Sequence, residues 1–303
     1  MIRNLLLFFF LLPLLASSQY RKIRYKYEVC GGVGIANFLG DLGGANQVGT
    51  HLLKDFEFKA TRPSLSAGFR YKANPYYAFK GMLTFGMVSG ADNLTQDIYR
   101  NNRNLSFRSP ILELSAQIEG YFMREKTGKL YKISGVKGKR QRKSTAYVLT
   151  GVGIFFYSPS AINPADGKRY RLRKLHTEGQ GLPGGPKQYS NFSLCVPIGI
   201  GMKYAIDKRW SIGGEIAFRK TFTDYIDDVS GVYYDKVSIQ EAYGVPAAQL
   251  ADPSLGKIPG ATLPNSDGSG AQRGETKYKD SYMFFEVTVG YKFTKKKRTR
   301  SKF

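Results

Sequence analysis

The chain has 303 residues, with 46 Lys and Arg against 23 Asp and Glu, for a formal charge of +23. The length permits one large domain or two ordinary ones, and the charge alone would suit a nucleic-acid binder. Two Cys and two His are too few and too scattered for a disulfide-built scaffold or a structural zinc site.

The first residues turn the reading away from nucleic acid. "MIRNLLLFFFLLPLLASSQ" has a basic start, an apolar run from Leu5 to Leu15 and small residues at Ala16 and Ser18. This is the layout of a secretory signal peptide over 1–18, cut before Gln19. No Cys sits at the cut, so no lipid anchor is expected there. No later run approaches the roughly 18 apolar residues of a spanning helix. The exported remainder is then either soluble or a β-barrel.

Along the chain the apolar pattern has period two, and helical periodicity is nearly absent. "YKYEVCGGVGIA" places Tyr25, Tyr27, Val29, Val33 and Ile35 on one face, with Lys26, Glu28 and Cys30 on the other. "SLSAGFRYK" sets Leu65, Ala67, Phe69 and Tyr71 against Arg70 and Lys72. "YYAFKGMLTFGM" and "PILELSAQIEGYF" continue the alternation, whereas "TAYVLTGVGIFFY" is apolar on both faces. "SLCVPIGIGMKYAI" and "WSIGGEIAFRKTF" put Lys203, Glu215 and Arg219 on the polar face. The last segment sets Met283, Phe285, Val287, Val289, Tyr291 and Phe293 against Glu286, Thr288, Gly290 and Lys292. The fold class this predicts is all-β, an eight-stranded antiparallel transmembrane outer-membrane β-barrel with long extracellular loops, spanning 19–293. A basic tail follows at 294–303. In a soluble lipocalin-like barrel or sandwich the apolar face would point inward instead.

The connections alternate in length. Those at 72–75 and 206–209 are tight, whereas 37–60, 88–105, 158–191 and 227–281 are long. Outer-membrane barrels have short periplasmic turns and long outer loops, so both termini and the 123–144 connection are expected in the periplasm. An eight-stranded barrel is only wide enough for side chains to fill. Glu28, Glu113, Glu119, Glu215 and Glu286 are therefore expected to pair with Arg70, Lys72, Lys80, Lys203, Arg219 and Lys292 across the lumen, which leaves no conduit.

The residues offer little for catalysis. His51 and His176 fall in long loops without a nucleophile and orienting partner on fixed strand positions. The glycines of "GGVGIA", "GVGIFF" and "GIGMKY" precede no helix and read as relief of crowding, not as a dinucleotide fingerprint. Neither an enzyme nor a cofactor is expected. Cys30 and Cys195 could form one bridge or pack as small apolar groups. "TFTDYIDDVSG" carries Asp224, Asp227 and Asp228, whose spacing does not match an EF-hand loop; turn capping is the main alternative to calcium binding.

Five segments carry a family resemblance: "ANFLGDLGG" (36–44), "RNLSFRSPILELSAQIE" (103–119), "LHTEGQGLPGGPKQYS" (175–190), "RKTFTDYIDDVS" (219–230) and "QRGETKYKDSYMFFEVTVGYKF" (272–293). With these the chain resembles PorG-type outer-membrane barrel proteins of the Bacteroidota type IX secretion system. The resemblance implies a non-enzymatic part of a secretion and gliding apparatus. It also implies association with a periplasmic ring of the lipoprotein PorK and its partner PorN (GldK and GldN in gliding bacteria). The matching positions at the outer rim are Asp41, Asp224, Tyr225, Asp227, Asp228 and Arg273.

The topology puts three basic stretches on the periplasmic side. They supply Arg21 and Lys22, then Lys139, Arg140, Arg142 and Lys143, then Lys295, Lys296, Lys297 and Arg298. Two partners fit this face, an acidic surface of the ring or anionic phospholipid. A second function stays open, a barrel that binds or acts on outer-leaflet lipid or a small ligand through its outer loops. No nucleic acid or small-molecule substrate is expected on the first reading.

Overall fold

The computed structural model describes residues 26–42, 60–95, 97–123, 125, 143–262 and 270–293. The expected signal peptide at 1–18 and basic tail at 294–303 lie outside the described residues, as does most of the 123–144 connection.

In chain order the strands are β1 (Tyr27–Leu39), β2 (Arg62–Lys72), β3 (Tyr77–Ala91), β4 (Ser106–Tyr121), β5 (Ser144–Tyr157), β6 (Ser160–Ile162), β7 (Arg169–Arg171), β8 (Phe192–Ala205), β9 (Trp210–Thr221) and β10 (Ser281–Lys292). Eight of them close an antiparallel ring in the order β1, β2, β3, β4, β5, β8, β9, β10, with β3 paired to β4 and β10 returning to β1. The seam runs from Glu28 opposite Lys292 to Leu39 opposite Ser281. The short strands β6 and β7 form a ribbon outside the ring, joined to β4 where Ser160 lies opposite Arg108.

Each barrel strand alternates because successive side chains point to opposite faces. On β2, Leu65 and Phe69 are exposed while Ser66 and Arg70 are buried. On β5, where the sequence is apolar on both faces, Tyr147, Leu149, Phe155 and Tyr157 turn inward and Val148, Val152 and Ile154 outward. Crowding inside the ring is real. A Cβ on Gly34 would come within 2.0 Å of the Phe285 carbonyl oxygen, so the β1 backbone packs at that point only as glycine.

The tight connections at 72–77 and 205–210 share one end of the barrel, and the four long ones share the other. The long loops hold three short helices, α1 (Ile98–Arg103), α2 (Lys236–Tyr243) and α3 (Val245–Ala251). Periodicity cannot reveal helices of two turns, but their caps are visible. The Asp97 and Asp235 side chains accept from the backbone N–H groups of Arg100 and Ser238, respectively. Together the loops build a cap in which Leu42, Leu105, Ile226, Val229 and Leu250 are buried, in one apolar cluster with Phe38, Phe155 and Phe284 of the barrel.

Candidate functional site

The inward face of the barrel is charged and paired. Arg70 Nη1 donates to Glu28 at 2.7 Å, and its Nε and Nη2 donate to the two Glu119 oxygens at 2.7 and 2.9 Å. Lys203 reaches Glu28 at 2.5 Å from across the β1–β10 seam. Lys80 bridges Glu119 at 3.3 Å and Glu215 at 2.7 Å, and Tyr147 donates its hydroxyl to the same Glu215 oxygen. Nearer the loops, Arg219 and the Tyr282 hydroxyl meet at Glu113, at 3.1 and 3.0 Å.

Two details differ from the expected pairing. Glu286 accepts from the Ser66 hydroxyl at 2.8 Å and forms no ion pair among the described residues. Lys72 and Lys292 pair with Glu125, which sits in the connection and not on a strand. Cys30 and Cys195 are both free thiols, buried on the lumen side. Cys30 lies against the Met82 sulfur, and Cys195 receives the Tyr282 hydroxyl.

At the loop end, a second polar network ties the loops to one another. Asp227, wholly buried, accepts from the Leu42 N–H of the first loop at 3.2 Å and from its own loop's Val229 N–H at 3.0 Å. Asp41 accepts from the Glu275 N–H at 2.7 Å, which joins the first loop to the last. A Cβ on Gly274 would come within 2.5 Å of that Asp41 carboxylate and 2.9 Å of the Ser230 nitrogen, so glycine permits the approach. Asp224 accepts from the Ser230 hydroxyl at 2.7 Å.

Asp228 adopts φ 67°, a left-handed conformation that Asp tolerates better than most residues. Its carboxylate accepts from the hydroxyls of Thr177 and Tyr189 in the third loop. Tyr225 stacks on Tyr189 with centroids 4.5 Å apart. Arg273 is among the largest fully buried side chains. It donates to Glu178 at 2.9 Å and to the carbonyls of Asp228 and Ala251 at 2.6 and 3.3 Å. Arg103 completes the network. It grips Asp92 with two donors at 2.7 and 2.8 Å and reaches the carbonyls of Asp41 and Arg273.

Asp224, Asp227, Asp228 and Asp280 are buried, and Asp41 is half-buried. Burial pushes Asp228 up to about 6, although Arg273 and the two hydroxyls pull it down. Burial lifts Asp41 to about 6 as well, opposed by the Glu275 N–H and Arg103. Asp227 and Asp280 rise well above the usual carboxylate range through burial first and neighbouring acids second. In the unfolded cap these groups would titrate near pH ~3.9. The folded cap therefore holds protons that the unfolded cap has lost. The stability they contribute is complete below about pH 4 and is lost as pH rises through about 6. The cap is expected to resist protease better at about pH 5 than at about pH 8. Digestion half-times of the folded barrel, with a protease active at both values, check this; an equal or opposite ranking contradicts it.

Among the described residues no three His, Cys, Asp or Glu side chains are arranged to hold a metal ion. His176 stacks on Tyr243 with centroids 4.3 Å apart, and His51 lies outside the described residues.

The outward face decides the class. Val33, Leu65, Leu83, Leu114, Val152, Leu194 and Ile200 stand exposed around the ring, with Tyr27, Tyr77, Phe122, Tyr204, Trp210 and Phe293 exposed at the short-turn end. An apolar band bordered by aromatic residues on a closed barrel is the surface that faces lipid. The chain is an outer-membrane β-barrel. No protein-family model matches the sequence, and no curated protein matches it either.

Solved barrels align with the chain at low identity. The attachment invasion locus protein Ail of Yersinia pestis aligns with 89% of this chain and 100% of its own at 10% identity and TM-score 0.38. Neisserial surface protein A covers 88% of this chain and 97% of its own, also at 10% and 0.38. OprG of Pseudomonas aeruginosa covers 91% and 100%, again at 10% and 0.38. At this level no residue role passes from those proteins to this barrel.

The structure brings Asp41, Asp224, Tyr225, Asp227, Asp228 and Arg273 into one cluster beneath the cap. Their hydrogen bonds are mostly cross-loop tethers, in contrast to the local turn capping read from the sequence, because the partner loops converge on them from other strands. Asp92, Arg103 and Asp280 were not legible as members. Of the basic face, Lys143 is described, with its ammonium 5.8 Å from the Tyr204 ring centroid. Arg21, Lys22, Lys139, Arg140, Arg142, Lys295, Lys296, Lys297 and Arg298 lie outside the described residues.

Proposed function

We propose that this barrel is a non-enzymatic outer-membrane component of a type IX protein secretion system, which docks a periplasmic ring of the PorK and PorN kind (GldK and GldN in gliding bacteria). On this reading both termini lie in the periplasm. The observation that carries the reading is the filled lumen. A bore crossed by paired Arg70, Glu119, Lys80 and Glu215 serves as a seat and not as a passage. The family-like segments supply the identity of the ring, and the bases at the short-turn end supply its electrostatics. Lys26, Lys208 and Arg209 are exposed there beside Lys143. Opposed charge of this kind raises encounter rate and fixes orientation.

Affinity purification from membranes in mild detergent tests the proposal. The full chain is expected to carry the ring with it. Deleting residues 294–303 and neutralising Lys139, Arg140, Arg142 and Lys143 is expected to leave the barrel folded but to lower ring recovery, increasingly so as salt rises. Ring recovery that stays unchanged across the salt range returns the basic face to attraction by anionic phospholipid.

A second reading has its own observation. Among the described residues a cleft of about 750 Å³ opens in the cap, lined by Asp41, Tyr99, Arg100, Arg103, Arg273 and Tyr278 among others. It would suit a barrel that binds or modifies outer-leaflet lipid or a small ligand. Altered lipid A in a deletion strain, with ring assembly intact, favours this reading over the first.

A further inference from the structure

The third loop leaves the barrel as the β6–β7 ribbon, and its charge is one-sided. Between Ser158 and Leu175 there is one acid, Asp166, against Lys168, Arg169, Arg171, Arg173 and Lys174. Asp166 is occupied locally. It accepts from the Tyr170 hydroxyl at 2.6 Å and from the Lys168 N–H at 2.9 Å.

Register fixes which bases share a face. Arg108 on β4 lies opposite Ser160 on β6, and Ser160 lies opposite Arg171 on β7. Ile162 lies opposite Arg169, and Arg169 Nη1 reaches the Ser160 hydroxyl at 3.4 Å. Directly paired residues point the same way, so Arg108, Arg169 and Arg171 form one exposed group, whereas Ala161, on the other face, is buried in the cap core. With strands ~4.8 Å apart, the Arg108 and Arg171 backbones are about 10 Å from each other.

The same face of β4 continues from Arg108 through Leu112 and Leu114, both exposed to lipid. The three arginines thus sit immediately beyond the apolar band, at headgroup level on the loop side. None of them forms an ion pair with an acid among the described residues. The Arg108 guanidinium donates to the Met87 sulfur, and the Arg108 carbonyl accepts from the Ser160 hydroxyl at 2.9 Å. Like charges gathered on one face of the ribbon repel, so the group is held together best when an anion lies across it. Planar guanidinium groups grip phosphate with paired donors.

We propose that Arg108, Arg169 and Arg171 form a binding site for the phosphate groups of an outer-leaflet lipid, whose acyl chains lie along the apolar face of β4. The site rests on the outer-membrane reading with the long loops facing outward. It does not depend on the periplasmic ring.

The test titrates the folded full chain in detergent with diphosphorylated lipid A. The variant carrying Arg108→Gln, Arg169→Gln and Arg171→Gln is expected to bind about a hundredfold more weakly, at ~1 kcal/mol per basic residue near a charged surface. The corresponding triple Lys variant keeps the charge and is expected to fall between the two. Lys236→Gln with Lys257→Gln, which neutralises exposed bases elsewhere on the cap, is expected to bind as the parent does. Dephosphorylated lipid A is expected to bind the parent no better than the Gln variant, and millimolar inorganic phosphate is expected not to displace the lipid.

Equal binding by the parent and the Gln variant, with both barrels folded by their heat-dependent gel mobility, overturns the proposal. So does an equal loss in the Lys236 and Lys257 variant, or displacement by inorganic phosphate. Orientation is read separately, by labelling Asp166→Cys on intact cells. Absence of labelling sinks the outward placement of the loops and leaves the in-detergent result standing by itself.

Discussion

Replacing Arg70 with Ala is expected to lower the unfolding free energy of the barrel by about 3 to 5 kcal/mol, the cost of breaking a buried ion pair from one side. Among the described residues Arg70 alone serves Glu28 and Glu119 together, at 2.7 Å each. Lys203 and Lys80 remain after its removal, but one buried negative charge is left without a counterpart. Arg70→Lys keeps the charge and loses the fork, so it is expected to recover part of the loss. Urea titration of the barrel refolded into lipid vesicles, alongside an exposed control such as Lys187→Ala, measures the difference. A midpoint within error of the parent would show that the lumen network adds nothing to stability.

Arg273→Ala is expected to act on the cap and spare the barrel. Its removal takes the counter-charge from the Glu178 carboxylate, 2% exposed, which keeps only the Ser230 and Gly231 N–H donors among the described residues, and it leaves the Asp228 carbonyl short of a donor. The penalty is about 3 to 5 kcal/mol, but it falls on loop docking, because the groups Arg273 donates to among the described residues, Glu178, Asp228 and Ala251, are all in loops. Asp227→Ala with Asp228→Ala removes acceptors from the Leu42 and Val229 N–H groups, at about 1 to 3 kcal/mol for each buried group left unpaired. Both variants should migrate as folded barrels while their loops become open to protease. Loops as resistant as the parent's would remove any structural claim for the motif. Loss of the folded barrel itself would show that cap and barrel are one cooperative unit.

How far the sequence reaches depends on what each element asks of it. The barrel strands are legible because one face meets lipid and the other meets charge, so a period of two is written in residue type. β5 blurs that signal because its inward positions are aromatic, and the reason is visible only in three dimensions: the Tyr147 hydroxyl is a ligand of Glu215. The cap is legible as motif but not as mechanism. "TDYIDDVS" announces turns, and nothing local shows that Asp227 serves Leu42, 185 positions away. Glu125 escaped for a related reason: it lies off the strands, where alternation assigns no face. The β6–β7 ribbon, at three residues per strand, is too short to carry a period.

The lumen pairs have a bearing on how the molecule is made. Lys203 and Glu28 come from strands on either side of the β1–β10 seam, and Lys80 and Glu215 from strands on opposite sides of the ring. A curled but open sheet cannot bring such partners together, so its charged face would meet hydrocarbon, where each unpaired ion is costly. Zipping of β1 to β10 abolishes that penalty in a single step. Insertion and closure are for this reason one event energetically, and an intermediate with a gaping seam has to be shielded from the bilayer until its first and last strands meet.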